Sequence, residues 1–395
     1  MTADGARPPR HGVPRIRRRV AILLSVSVLI LLTPAVSFAR ALVYPGSASA
    51  GVRAVGWARD HGAGGLVDAL ENWWYTRSPP PSVGAPTDHL SAVPPTAVAT
   101  KQIAQSTHKD RAPKDTLPVV RLLKGAAPGE GSWQPVRRNA AGRPVLWITS
   151  LRPDAAHPTV VAAVALMPKD TTALHLGAGT REPVPGLFPI SASRVPASAV
   201  DPLVAVFNAG WKTKDTNAGW YAGGVSAVPL RNGMASVVID DTGTATVASW
   251  DASAVPSGLV VPAGVVAVRQ NLHLVVEGGK PAAGLGSNAN GRWGSSHNQF
   301  QFTTRSGVGT DAQGALVYVA GQNLTLSTLA QAMSRAGVVT GMELDMHPDM
   351  VDFRSFGSAA DAKAKRGTPL LVSMKAPRNR YLVPDQRDFF YLTER

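Results

Sequence analysis

The sequence contains no cysteine. This absence excludes disulfide bonds, thiolate catalysis, and zinc or iron–sulfur sites with cysteine ligands. Acidic residues are also scarce: 26 aspartates and glutamates stand against 40 lysines and arginines among 395 residues, for a formal net charge of +14. This positive charge indicates an anionic partner, and nucleic acid, a phospholipid surface and a phosphate-rich polymer are the candidate classes. Because 44% of residues are hydrophobic and only 17% charged, most of the chain is globular.

Several motifs of known chemistry are missing as well. The chain has neither a Walker motif nor the dinucleotide-binding glycine motif, which argues against nucleotide binding. Ser295, Ser296 and His297 offer a nucleophile next to a base, but the nucleophile-elbow motif is absent. No internal repeat is visible.

The N-terminus combines basic and apolar segments. Arg10, Arg15 and the three arginines at 17–19 precede a continuous apolar run from Val20 to Ala39. This order predicts a cytoplasmic segment over residues 1–19 and export of everything after residue 39. The run at 20–39 is either a single-pass membrane anchor or a cleaved signal. In both cases the partner is not nucleic acid, and an exported chain without cysteine is typical of a bacterium.

The exported part divides into three segments. Residues 40–77 predict a short amphipathic helix interrupted by glycines, with Trp73 and Trp74 either packing on the main domain or lying at the membrane interface. Residues 78–116, rich in proline, serine and alanine, predict an extended linker that holds a domain away from the membrane. Residues 117–395 form that domain.

Short β-branched runs separated by turn residues dominate residues 117–395. Residues 241–243 and 311–314 have the composition of hairpin turns. One segment, 325–337, has helical periodicity, with Thr325 as the N-cap and Gly337 as the stop. The prediction is an α+β domain with a largely antiparallel or mixed sheet and few helices.

The stretch "GMELDMHPDMV" gathers acids on an acid-poor background. In a strand, Glu343 and Asp345, with His347 beyond them, point to one face, and Pro348 places them at the strand end. Paired carboxylates serve as acid and base in sugar chemistry. The alternatives are a charged edge strand whose acids pair with arginines, and a metal site of Glu343, Asp345 and His347, for which the spacing supplies no fourth ligand.

Two further segments offer binding groups. The stretch "VFNAGWKTKDTNAGWYAGG" follows an apolar strand and carries Asn208, Gly210, Trp211 and Tyr221, which suit an anion or a sugar ring, although ordinary surface loops share this composition. Arg305 lies at the start of a glycine-punctuated strand, where it either clamps a phosphate or is a solvated strand-edge residue.

Taken in order, "LVAVFNAGW", "GWYAGG", "TRSGVG", "LSTLAQAMSRAG" and "GMELD" resemble the phosphodiester glycosidase family, of the N-acetylglucosamine-1-phosphodiester alpha-N-acetylglucosaminidase type. The resemblance covers residues 200–356, with a looser approach from 117. The helix with two tryptophans, the proline-rich linker and "MELD" are similar to a membrane-anchored actinobacterial branch of that family.

The resemblance implies an exported hydrolase that cleaves a glycosyl phosphodiester in envelope or exopolysaccharide material. Asn208 and Gly210 match the family's Asn-Gly-Gly loop, Arg305 its strand arginine, and Asp345 the aspartate of its Leu-Asp-Gly-Gly-Gly-Ser motif. Together with the residue patterns described above, this gives Asp345, Glu343 and Arg305 as the candidate catalytic residues. The candidate substrate-binding residues are Asn208, Gly210, Trp211, Tyr221 and His347. No cofactor is implied, and a divalent metal stays open.

The chain departs from the family at two points. Ala209 stands where glycine is usual, and residues 346–349, Met-His-Pro-Asp, replace the glycines and serine after the aspartate. Two hypotheses follow: either the pocket accepts a different phosphodiester, or the domain is a non-catalytic module that binds an anionic envelope glycopolymer.

Overall fold

The computed structural model describes residue 20 and residues 32–44, 46–91, 117–295 and 297–395. The basic segment at 1–19, most of the apolar run at 20–39 and most of the linker at 92–116 therefore lie outside the described residues. Residues 32–43 are helical. No helix within the described ranges has both the length and the apolar character needed to cross a bilayer.

The chain forms two compact units, the first comprising Met1–Tyr44 and Ser49–Val67 and the second Pro45–Ala48 and Asp68–Arg395. Helix α1 spans Ala50–Ala58, and the Ser49 hydroxyl caps it by accepting from the Val52 N–H. A π-helical turn at Arg59–Ala63 follows, and helix α2 spans Gly64–Thr76. Gly62, at φ +90°, breaks the helical backbone between them, as expected of a glycine there.

The second unit contains an eight-stranded sheet, here the first sheet. Its strands, in spatial order, are β1 (Gln134–Arg138), β2 (Pro144–Leu151), β3 (Ala162–Met167), β14 (Leu316–Leu324), β13 (Thr303–Asp311), β15 (Val338–Met346), β11 (Leu274–Glu277) and β12 (Lys280–Pro281).

Two five-stranded sheets complete the domain. The second sheet contains, in order, β7 (Val225–Val228), β6 (Trp220–Ala222), β10 (Val265–Gln270), β8 (Ala235–Asp240) and β9 (Ala245–Ser249). The third sheet contains β17 (Thr368–Pro369), β16 (Phe353–Ser355), β5 (Leu203–Asn208), β18 (Phe389–Glu394) and β4 (Thr172–Gly177). Helices α3 (Thr213–Thr216), α4 (Leu326–Arg335) and α5 (Ala359–Lys363) are short. The structure confirms a sheet-rich, antiparallel fold with few helices.

The local predictions hold where turn chemistry is strong. Asp240 and Asp311 accept backbone N–H groups across the β8–β9 and β13–β14 turns. Helix α4 begins with a reciprocal capping box between Thr325 and Thr328 and stops at Gly337, at φ +91°.

The first sheet lies between two apolar layers. One of its faces packs against α4, with Leu329, Met333 and Val319 buried in the same cluster. The other face packs against the second and third sheets through a cluster that includes Phe207 and Met342. The ends of β5, β10 and β15 thereby come close to one another.

Candidate functional site

A β-bulge in β15 decides where the acids point. Arg305 pairs with Met346 and Gly307 pairs with Glu343, so three steps along β15 match two along β13. The extra residue breaks the alternation of side chains. As a result Glu343 and Met346 both reach Arg305, whereas Asp345 reaches Arg387. The prediction that strand alternation places Glu343 and Asp345 on one face is therefore wrong, and each carboxylate has its own arginine.

Asp345 connects the end of the first sheet to the loop after β5. Its N–H donates to the Ala209 carbonyl at 3.1 Å, and its own Oδ1 accepts from the Met346 N–H at 3.0 Å. The Nη2 of Arg387 donates to Asp345 Oδ2 at 2.7 Å and to the Gly210 carbonyl at 2.8 Å. One guanidinium thus links the predicted acid to the predicted glycine turn.

Asn208 lies at the centre of this arrangement and is buried. Its Nδ2 donates to Ser306 Oγ and to the Ala209 carbonyl, both at 3.0 Å. Its Oδ1 accepts from the Tyr318 hydroxyl and the Asp352 N–H, both at 3.0 Å. Because all four hydrogen-bonding positions of the amide are used, Asn208 holds the loop against β13 and β15.

Ser306 extends the network to the bulge itself. Its hydroxyl donates to the Asp345 carbonyl oxygen at 2.8 Å while it accepts from Asn208. The loop after β5, strand β13 and the bulged end of β15 are therefore held together by side-chain hydrogen bonds, which fix the backbone that carries Asp345.

Arg305 and Glu343 form a fully buried ion pair next to this network. The remaining donors of Arg305 bind the carbonyl oxygens of Leu324 and Asn298. Glu343 Oε2 is buried without a hydrogen-bond partner among the described residues. Arg305 is thus neither solvated nor at a strand edge.

Sequence reasoning missed the charged segment before β18. Arg387 approaches Glu182 at 3.9 Å as well as Asp345, and Asp388 pairs with Arg269 at 2.6 Å, with no side-chain exposure on either partner. A signal was present: Asp385, Arg387 and Asp388 directly precede an apolar run, a position comparable to that of Arg305 at the start of its strand.

Burial dominates the electrostatics of the site. It raises the pKa of Asp345 above the ordinary aspartate value, while the Arg387 guanidinium opposes the rise. Burial likewise raises the pKa of Glu343 and of Glu182, opposed by Arg305 and Arg387 respectively. The cluster therefore contains carboxyl groups that bind protons more tightly than usual.

The remaining predicted residues, Trp211, Tyr221 and His347, contact different parts of the chain. Trp211 follows Gly210, is half-buried, and accepts at its carbonyl from Arg269. Tyr221 lies on β6 and packs against a buried apolar cluster formed by Trp250, Val261 and Val268. His347, at φ +78°, stacks on Tyr75 with 5.2 Å between ring centroids, and its Nδ1 lies 3.1 Å from Thr303 Oγ1.

Glu343, Asp345 and His347, the ligands of the hypothetical metal site, do not converge on one point. Glu343, Asp345 and His347 contact Arg305, Arg387 and Thr303 respectively. Across the described ranges, no group of three histidine, cysteine, aspartate or glutamate side chains is arranged to hold a metal ion.

No protein-family model matches this chain, and no curated protein matches it. Among solved structures it is similar to the zebrafish N-acetylglucosamine-1-phosphodiester alpha-N-acetylglucosaminidase catalytic domain auto-inhibited by its pro-peptide. The identity is 15%, the TM-score 0.41, and the match covers 67% of this chain and 87% of that one.

Two further solved structures match. A hypothetical protein from Synechocystis has 10% identity and a TM-score of 0.34 over 60% of this chain and 59% of its own length. A protein described as exported from Burkholderia pseudomallei has 11% identity and a TM-score of 0.35 over 60% and 74%. At these values the similarities carry no functional argument.

Proposed function

We propose that residues 117–395 form an exported, membrane-tethered glycosidase that hydrolyses a sugar phosphodiester of the cell envelope at the anomeric carbon. The observation that carries the proposal is a pair of hydrogen bonds from Arg387, whose guanidinium donates to both Asp345 and the Gly210 carbonyl. These bonds bring the Asn208–Gly210 turn and the Asp345 motif into one cluster. The two motifs lie more than a hundred residues apart and were singled out independently.

Asp345 is the proposed catalytic carboxylate. As the bond between C1 and the phosphate oxygen breaks, the phosphate leaves with the electron pair and positive charge develops on the sugar. A carboxylate beside C1 stabilises that charge and accepts a proton from the water whose oxygen bonds to C1. Arg387 is a positioning residue, because it orients the Asp345 carboxylate.

Arg305 and Glu343 have a proposed supporting role. The family resemblance implies that Arg305 binds the phosphate, and to do so its guanidinium must exchange the Glu343 carboxylate for phosphate oxygens. Glu343 then holds the arginine in place when no substrate is bound. Gly210, Trp211, Tyr221 and His347 are proposed to bind the sugar and its aglycone, with Asn208 fixing the loop that carries Gly210 and Trp211.

The test is sugar release from a panel of glycosyl-1-phosphodiesters by the purified chain, with and without chelator. Asp345→Asn keeps the size of the side chain but removes the carboxylate, and we expect turnover to fall at least about 100-fold. Asp201→Asn is the matched control, because Asp201 is exposed in a surface ion pair with Lys363. Unchanged turnover by the Asp345 variant would contradict the proposed role.

A non-catalytic module that binds anionic envelope glycopolymer is the second candidate. It is favoured by the limited access to Asp345, whose side chain is 11% exposed. It is also favoured by the stacking of Tyr75 on His347, which lies two residues after Asp345 in the chain. Polymer binding by the purified chain without turnover of any phosphodiester in the panel would establish this function instead.

A further inference from the structure

Residues 68–76 of helix α2 belong to the second unit, and this part of the helix is amphipathic with its polar side facing the domain. Glu71 Oε2 lies 3.6 Å from His347 Nε2, and Tyr75 stacks on the same imidazole. Asn72 accepts from the Gln301 amide, and the Tyr75 carbonyl accepts from the Phe302 N–H at 3.1 Å. These contacts attach one side of α2 to the domain through polar groups.

The opposite side of α2 is apolar and exposed. Leu70, Trp73 and Trp74 follow the i, i+3, i+4 spacing of one helical face and are 57%, 53% and 61% exposed. One turn further on, the Arg77 guanidinium lies 5.5 Å from the centroid of the Trp73 ring. An amphipathic helix normally buries its apolar side, so this arrangement requires an apolar partner for residues 70, 73 and 74.

We propose that this outer face, formed by Leu70, Trp73 and Trp74, binds the surface of a lipid bilayer. Tryptophan rings favour the level of the lipid headgroups because their body is apolar and their N–H is polar. Arg77 lies where a lipid phosphate can accept its hydrogen bonds. The net charge of +14 attracts the molecule to anionic lipid, and the arginine-flanked apolar run at 20–39 precedes α2 in the chain.

The chemistry of the face favours lipid over a glycan. A sugar-binding platform combines a flat ring with polar groups that bind hydroxyls, whereas here the ring of Trp73 is flanked by Leu70 and Trp74 along the helix. Flexible and flat apolar side chains together suit an acyl-chain boundary. The inference does not depend on turnover, so it stands or falls separately from the proposed hydrolase activity.

The absence of cysteine allows a direct test, because one introduced cysteine carries the only label. Full-length Leu70→Cys and Trp74→Cys variants would carry an environment-sensitive fluorophore. They would be mixed with vesicles of phosphatidylcholine and phosphatidylglycerol in equal parts. Ile190→Cys is the matched control, because Ile190 is apolar and 58% exposed. We expect emission at 70 and 74 to rise several-fold and shift to the blue, and to be quenched by lipids brominated near the headgroup, with no change at 190.

A second variant strengthens the test. Replacing both Trp73 and Trp74 by serine in the Leu70→Cys chain should abolish most of the lipid quenching at 70 while leaving the circular dichroism spectrum unchanged. Labels at 70 and 74 that stay water-exposed with vesicles, or that respond no more than the label at 190, overturn the proposal. So does a blue shift without vesicles that grows with protein concentration, since it would assign the face to a second copy.

Discussion

Asp345 and Glu343 are separated by one residue, yet their surroundings give them different properties. Glu343 is sealed beside Arg305, with its second oxygen unpartnered among the described residues, whereas Asp345 retains slight exposure next to the Gly210 turn. A carboxylate that acts on a substrate must be reachable, and a carboxylate that holds a buried arginine need not be. Under the proposed function, Asp345 is therefore the acid that acts on the substrate and Glu343 the acid that holds Arg305.

The Arg305–Glu343 pair yields a stability prediction. Arg305→Met alone leaves the Glu343 carboxylate buried without its counter-charge, so we expect the free energy of unfolding to fall by about 3–5 kcal/mol. The double variant Arg305→Met with Glu343→Leu removes both charges, and we expect it to recover much of that loss. Denaturant unfolding of the wild type, the two single variants and the double variant measures the coupling.

The same double variant tests phosphate binding. If Arg305 binds the leaving phosphate, the double variant folds but loses turnover. If the ion pair only stabilises the fold, the folded double variant keeps an activity close to that of the wild type. Equal destabilisation by the single and double variants would contradict the assigned ion pair.

The raised pKa of Asp345 predicts the pH dependence of turnover. A base works as the carboxylate, so activity falls as the pH drops through the folded-state pKa, which burial places above the ordinary aspartate value of about 3.9. The acidic limb of kcat/KM should therefore have its midpoint above that value. Arg387→Met removes the guanidinium that lowers the pKa, so the limb should move to still higher pH. A limb that stays in place in this variant would show that Arg387 does not act on the titration of Asp345.

At the scale of elements, the sequence predicted those elements whose conformation is determined by residues close together in the chain. The β8–β9 and β13–β14 turns and helix α4 were predicted correctly because an aspartate, a capping threonine or a terminal glycine acts within a few residues. By contrast, the apolar stretch at 264–280 divides at Leu272, at φ +47°, with β10 in the second sheet and β11 in the first. That split depends on contacts with distant strands, which periodicity does not report.

The candidate site divides in the same way. Asp345 and the Asn208–Gly210 turn were recognised as motifs, and the structure brings them together. Periodicity does not predict the bulge between Glu343 and Met346, because the bulge depends on pairing with β13. The one extra residue reverses the expected direction of Asp345 relative to Glu343. Arg387 was missed because it lies over forty residues further along the chain and is joined to the site only by the order of strands in the third sheet.

Close packing of two segments gives a prediction at this scale. Gly179, just after β4, lies against the backbone of 386–387, and a Cβ there would stand 2.6 Å from the Arg387 carbonyl oxygen. Gly179→Ala should push the segment carrying Arg387 away, lowering stability by about 1–3 kcal/mol and reducing kcat more than it changes KM. Gly286→Ala is the control, because a Cβ there has open space. Unfolding curves and steady-state kinetics of both variants check this, and wild-type behaviour of Gly179→Ala would show that the segment adjusts freely.

At the scale of the whole molecule, the charge balance predicts how binding to the proposed envelope polymer depends on salt. With 40 basic and 26 acidic residues, association with an anionic envelope polymer should be driven by release of counterions. We expect affinity for polyglycerol phosphate to fall at least about tenfold as salt rises from about 0.05 M to about 0.2 M. Fluorescence anisotropy of labelled polymer would measure this, with neutral dextran as the control. Salt-independent binding would mean that contacts other than charge dominate.

Strand β18 is needed both for the third sheet and for the candidate site. It lies between β5 and β4 in the third sheet, and the residues just before it provide Arg387 and Asp388. A nascent or proteolysed polypeptide that stops before residue 385 therefore lacks both an interior strand of the third sheet and the guanidinium that binds Asp345. Because β18 pairs with a strand on each side, we do not expect such a truncated chain to fold stably.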